Sequence, residues 1–210
     1  MKLYHSPSSP NSRRVRVFMA EKGIDVPFHV VNLGDKEQMS EWYKAINPRL
    51  QVPALEIDDG RVIAEVPAIW HYLEEIHPAT PLLGIDAADK GFVFMWERRI
   101  ELDGFAPTME GVRNAVASLK GRALSGPHNY EQIPELVERS KLRIANFYKD
   151  INARLEDVPF VAGERFSVAD ITLLATVDFA TGGLKMPIPD EASALRRWYN
   201  DISSRDSAKA

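Results

Sequence analysis

An α/β domain followed by an all-α domain is the fold class predicted by this 210-residue sequence, on three observations. Up to about residue 78, short apolar and β-branched runs alternate with segments of helical period. Residues 79–86 carry Pro81 and Gly84 with little periodicity and form the best linker in the chain. From 87 to 210 only helical spacing recurs, with no convincing strand signal, no internal repeat and no low-complexity segment. The expected organisation is therefore a domain over 1–78, a linker over 79–86 and a helical domain over 87–210.

The elements follow in order. Residues 2–5 form a short strand. Over 10–22, Val15, Phe18, Met19 and Lys22 fall at helical spacing, with Gly23 as the stop. The β-branched run 28–33 is a second strand reached by a helical crossover, which makes a right-handed βαβ unit. A polar helix is expected over 36–46, ended by Asn47-Pro48. Two apolar runs, 52–57 and 62–64, flank Asp58-Asp59-Gly60-Arg61 and form a hairpin. The helix over 66–77 has Ile69, Tyr72, Leu73 and Ile76 on one stripe and Pro78 beyond its end. The order βαβ–αββα is that of a thioredoxin-like domain.

In the second half, 87–117 is a long helical stretch with Phe92, Met95, Trp96, Arg99 and Ile100 as its expected inner face, bent near Gly104 and Pro107. A loop over 121–134 precedes a helix over 135–155, whose core candidates are Leu136, Ile144, Phe147, Ile151 and Leu155. Helices over 167–180 and 191–202 complete the domain. Ser167-Val168-Ala169-Asp170 has capping-box spacing, with Phe166 and Ile171 placed as a hydrophobic staple.

Composition narrows the functions. A formal net charge of −4 argues against a general nucleic-acid binder, and the Arg13, Arg14 and Arg16 cluster is local. The absence of cysteine excludes structural disulfides, zinc–thiolate sites and catalysis by a protein thiol. Five histidines show no ligand spacing with carboxylates, so no metal is expected. No apolar run is long enough to span a membrane and no signal-peptide block opens the chain, which predicts a cytoplasmic protein.

The chemistry centres on Ser9-Pro10-Asn11-Ser12, a C-P-x-C redox turn with oxygen in place of both sulfurs. Pro10 suits the first helical position, where an N–H would be unpaired anyway. Ser9 is then a favoured N-cap beside open backbone N–H groups, a place that holds negative charge. Such a turn cannot exchange disulfides itself, but it can hold a thiolate supplied by another molecule.

Four segments, in order and spacing, resemble the cytosolic glutathione transferases over nearly the whole chain. Ser9-Pro-Asn-Ser-Arg-Arg-Val-Arg16 is similar to the start of the serine-type and nu-like bacterial classes. Asn47-Pro-Arg-Leu-Gln-Val-Pro-Ala-Leu55 resembles the segment carrying a cis proline, Glu65-Val-Pro-Ala-Ile69 a ligand-holding helix start, and Phe166-Ser-Val-Ala-Asp-Ile171 the capping box of the helical domain.

The resemblance implies a glutathione co-substrate, a small hydrophobic electrophile as its acceptor, and a homodimer. It places Ser9 where theta, tau and zeta classes carry a catalytic serine, with Asn11 second, as the nu-like asparagine that helps hold sulfur. Tyr4 is the runner-up, since other classes use a tyrosine, although counting places that tyrosine nearer His5. Gln51, Val52, Pro53, Glu65 and Val66 would bind the tripeptide, through the Val52 backbone edge, the Gln51 side chain, the Glu65 carboxylate and the Val66 N–H. Ser6, Ser8 and Ser12 serve the turn and cap, and His5 is a packed histidine or a proton carrier.

Val66 departs from the family's Ser or Thr and loses a hydroxyl worth about 1–3 kcal/mol to a charged group. Weaker glutathione binding is expected. Trp96, Arg99, Phe105 and Met109 are candidates for the substrate wall, as is the 121–130 loop, although aromatics and Met at helical spacing also serve as core. Glu97, Arg98 and Glu101 could face a partner subunit. Two other readings stand beside the transferase: glutathione-dependent disulfide reduction or peroxidase chemistry, and a non-catalytic binding module, for which Val66 speaks.

Overall fold

The computed structural model describes residues Met1–Ala210, which divide into two units: Met1–Thr80 with Ser125–His128 and Ala210, and Pro81–Leu124 with Asn129–Lys209. In the first, β1 (Lys2–His5) leads through a serine-rich turn into α1 (Pro10–Lys22). Ser9 caps that helix in extended conformation and Gly23 closes it at φ 63°, a left-handed position suited to glycine.

The second strand, β2 (Phe28–Val30), pairs in parallel with β1 and is shorter than the apolar run suggests. Asn32 ends it: its Oδ1 accepts from Gly34 N at 3.0 Å and Asp35 N at 3.3 Å, turning the chain out of the ladder. The single helix expected over 36–46 is two pieces, a 3₁₀ turn at Glu37–Met39 and α2 (Glu41–Ile46). Ser40 separates them because it is an extended N-cap, its hydroxyl accepting from Tyr43 N.

β3 (Ala54–Glu56) and β4 (Val62–Ala64) form the hairpin, with Gly60 at φ 84° in its turn, and α3 (Val66–Ile76) follows. The sheet order is β2-β1-β3-β4, with β3 antiparallel to both neighbours. Alternation along β1 serves two faces. Tyr4 clusters with Val31, Tyr43, Val52 and Ala54, while α1 and α3 pack on each other with Phe18 stacked on Trp70 at 6.0 Å. Each such aromatic contributes about 2–3 kcal/mol of burial. Lys22 joins α1 to α3 and to the segment after it: its buried ammonium bonds Glu74 at 2.6 Å and the carbonyls of Ala79 and Thr80.

In the second unit the expected long helix is α4 (Ala87–Ile100), a π turn at Glu101–Phe105, and α5 (Ala106–Ala115). Pro107 has no N–H for the carbonyl four residues before it, and its ring crowds that carbonyl, so the wider turn falls just ahead of it. The inner face of α4 is Val93, Glu97 and Ile100. Of the expected stripe, Ile100 is buried and Trp96 packs partly buried against the core, whereas Phe92 and Arg99 are exposed and Met95 is half-buried. Phe92 and Phe94 are 57% and 56% exposed. Five successive apolar residues, 92–96, carry no helical phase. The buried Glu97, which accepts from Thr172 Oγ1, belongs to the inner face.

α6 (Pro134–Asp157) buries Ile144, Phe147, Ile151 and Leu155 as expected, with Leu136 half-buried. α7 (Val168–Leu184) opens on the capping box of Ser167 and Asp170. The partner ring of Phe166 is Phe160, at 6.2 Å. α8 (Ser193–Ser203) starts later than the sequence suggests because its cap comes from elsewhere: Asn152 Oδ1 in α6 accepts from Ala194 N and Leu195 N. No helix is long and apolar enough to cross a membrane.

Candidate functional site

Strand register brings three segments to one end of the sheet. Tyr4 pairs with Ala54 and Ala54 with Ala64, so the residues leaving β1, entering β3 and leaving β4 are neighbours. These are the Ser6–Ser9 turn, Val52-Pro53 with a cis peptide, and Glu65 at the start of α3.

The turn is held from within. Ser6 N donates to Ser12 Oγ at 3.2 Å and Ser9 N donates to Ser6 O at 3.1 Å. Ser9 Oγ accepts from Ser12 N at 3.2 Å, so its hydroxyl proton remains free to donate elsewhere. Ser9 is 7% exposed, and Asn11 at the second helical position is half-buried. Asn11 Oδ1 accepts from Arg14 Nη1 at 3.1 Å.

Tyr4 is committed elsewhere, its hydroxyl donating to Glu56 Oε2 at 2.7 Å toward the opposite end of β1. Burial and then that hydrogen bond raise its pKa. His5 is buried against Phe28, and its Nδ1 faces Arg16 Nη1 at 3.2 Å. A guanidinium only donates, so His5 Nδ1 is the acceptor and the neutral ring carries its proton on Nε2. Burial, then the Arg16 charge, lowers the His5 pKa.

The Val52 backbone N–H and C=O take part in no hydrogen bond, whereas the Gln51 carbonyl accepts from Tyr43 Oη at 2.6 Å and Asn47 Nδ2 at 2.8 Å. The segment is thus anchored at Gln51 and open at Val52. Glu65 is exposed at φ 69° and ψ 127°, a strained backbone for a residue with a side chain, and its carboxylate does not cap α3. Val66 is buried and opens the helix with an N–H that lacks an intrahelical partner.

Ser125 falls within the 121–130 loop offered by the sequence for the substrate wall, but no residue pattern singles it out. It lies in a loop whose base is fixed in the second unit: Arg113 bonds the carbonyls of Arg122 and Leu124, and Gln132 Nε2 bonds those of Arg113 and Val116. The tip, Ser125–His128, groups with the first unit, where Gln51 Nε2 donates to Ser125 Oγ at 2.7 Å.

The remaining candidates belong to the second unit. Phe105 is buried in the π turn with Phe179 at 6.4 Å, and Met109 is half-buried on α5. Trp96 is half-buried, with the guanidinium carbons of Arg99 and Arg154 at 4.9 and 4.7 Å from its ring centroid. Arg99 is exposed.

Residues 3–81 match the model of the glutathione S-transferase N-terminal domain, and residues 134–201 that of the C-terminal domain. Glutathione S-transferase 2 of Saccharomyces cerevisiae is 35% identical over 211 residues, spanning 100% of this chain and 88% of that protein. The crystal structure of Gtt2 from Saccharomyces cerevisiae superposes with a TM-score of 0.90 at 33% identity, over 100% of this chain and 99% of that one. Maleylacetoacetate isomerase of Pseudomonas aeruginosa is 43% identical over 90 residues, 41% of this chain and 42% of that protein.

Proposed function

The chain belongs to the glutathione S-transferase family, and on that premise we propose that it stabilises the thiol of glutathione as a thiolate for attack on a small hydrophobic electrophile. The observation that carries this reading is the Ser9 hydroxyl, buried at the mouth of α1 with its oxygen accepting from Ser12 N and its proton uncommitted. Ser9 is a hydrogen-bond donor to sulfur in this scheme and never a nucleophile.

A thiol pKa near ~8.5 leaves only about a few per cent thiolate at neutral pH. Lowering it by ~2 units requires about 2.7 kcal/mol of preferential stabilisation of the anion. One charge-assisted hydrogen bond and a helix N-terminus supply energies of that order. The thiol proton leaves to solvent. The sulfur then forms a bond to the electrophilic carbon, whose leaving group departs with the electron pair.

The open Val52 edge suits the peptide backbone of glutathione, with Pro53 and Gln51 beside it. The Glu65 carboxylate suits its ammonium, and the Val66 N–H its γ-glutamyl carboxylate. Trp96, Arg99, Phe105 and Met109 are assigned to the electrophile on the helical domain over 87–210. We place the protein in the cytoplasm, in detoxification. Its homodimeric state is supported by the exposed Phe92 and Phe94 on α4, and a sedimentation mass of one chain at micromolar concentration would end that part of the reading.

Replacing Ser9 by Ala should lower turnover of a chromogenic electrophile ten-fold or more, with Tm reduced by the loss of the cap. An unchanged turnover would remove Ser9 from the mechanism.

A further inference from the structure

Arg14 is 1% exposed, which is rare for a guanidinium. It lies over the Trp70 ring, 5.0 Å from the centroid, and Nη1 donates to Asn11 Oδ1 at 3.1 Å. An arginine offers donors only. The Asn11 amide can therefore present only its oxygen to Arg14, because the flipped amide would set its own N–H groups against a cation. The planar amide then carries Nδ2 away from the guanidinium, with both protons unused, two residues beyond the Ser9 hydroxyl.

We propose that Arg14 is a positioning residue that locks the Asn11 amide with its N–H groups outward, as a second donor beside Ser9 to the bound thiolate. The proposal rests on the thiolate-holding function given above. The buried charge on Arg14 also polarises the amide through its oxygen, which strengthens the N–H groups as donors. The aromatic face of Trp70 holds the guanidinium in place, so the lock is built from α1 and α3 together.

The bound-thiol pKa, read from the ultraviolet absorbance of the thiolate across a pH series, tests the lock. Asn11→Ala removes the donor and should raise that pKa by about one unit, ten-fold less thiolate below both values. Arg14→Met should raise it as much, and the double variant no more than either single one. Arg14→Lys keeps the charge and one donor to Oδ1, and should return the pKa to near wild type.

Additive shifts in the double variant would mean that Arg14 acts independently of Asn11 and would overturn the proposal. An unchanged pKa in Asn11→Ala would do so even if Arg14→Met failed to fold, while leaving Ser9 in its role. A wild-type protein whose bound thiol titrates at its solution value would overturn the thiolate reading and this inference with it.

Discussion

At the scale of single residues, the proposed grip on the γ-glutamyl end of glutathione rests on position 66. Val66 contributes a backbone N–H at the start of α3 but no hydroxyl, and its side chain is buried. Val66→Thr keeps the shape and adds a donor, so glutathione should bind about ten-fold more tightly by calorimetry. Tm should fall slightly, since a hydroxyl replaces a buried methyl. Unchanged affinity would show that no carboxylate sits at this helix start. Ser9 and Gly23 were legible in the sequence because cap and stop are local properties of the backbone. The burial of Arg14 was not, since three arginines in four positions look like a solvated face until Trp70, far along the chain, comes to lie beneath one of them.

At the scale of elements, the π turn between α4 and α5 depends on a residue without a side chain. A Cβ on Gly104 would lie 2.5 Å from the Phe147 ring. Helix propensity alone favours Gly104→Ala by about 1 kcal/mol. The clash should reverse the sign and give a net loss of about 1–3 kcal/mol in urea unfolding, with partial recovery when Phe147→Leu is added. A stabilised Gly104→Ala variant would contradict the close packing of α6 on this turn. Pro107 and Gly104 announced a bend in the sequence, but the rotation of α4 by one position did not show. Phe92 to Trp96 are apolar without interruption, and the phase belongs to Glu97, a residue type expected outside. The start of α8 was hidden for a related reason, because Asn152 caps it from α6.

At the scale of the whole molecule, stability should depend on pH through two buried groups with opposite signs. The His5 pKa lies below its ordinary 6.5, from burial and then Arg16. The unfolded chain therefore takes up the proton first. The His5 contribution is complete above pH 6.5 and is lost as pH falls through the folded value. Asp170 is pushed up to about 6 by burial, against hydrogen bonds from Val161, Trp198 and Ser167, and its contribution is complete below 3.8 and lost as pH rises through about 6. Between about pH 7.5 and 5.5, His5→Gln should therefore lose less stability than wild type, measured as urea midpoints. Equal losses would mean that His5 does not titrate differently on folding.

The N-terminal unit is also one body assembled from three separated stretches of chain, Met1–Thr80, Ser125–His128 and Ala210. The Gln51 amide meets Ser125, and Arg16 Nη2 donates to the Ala210 carbonyl at 3.3 Å. A graft cut at the linker would carry every strand of the sheet into a new host, yet leave both of these contacts behind. Recombination at that obvious seam transmits the scaffold without the partners of Gln51 and Arg16, so the sheet and two of the contacts that finish its unit are inherited from different places in the gene.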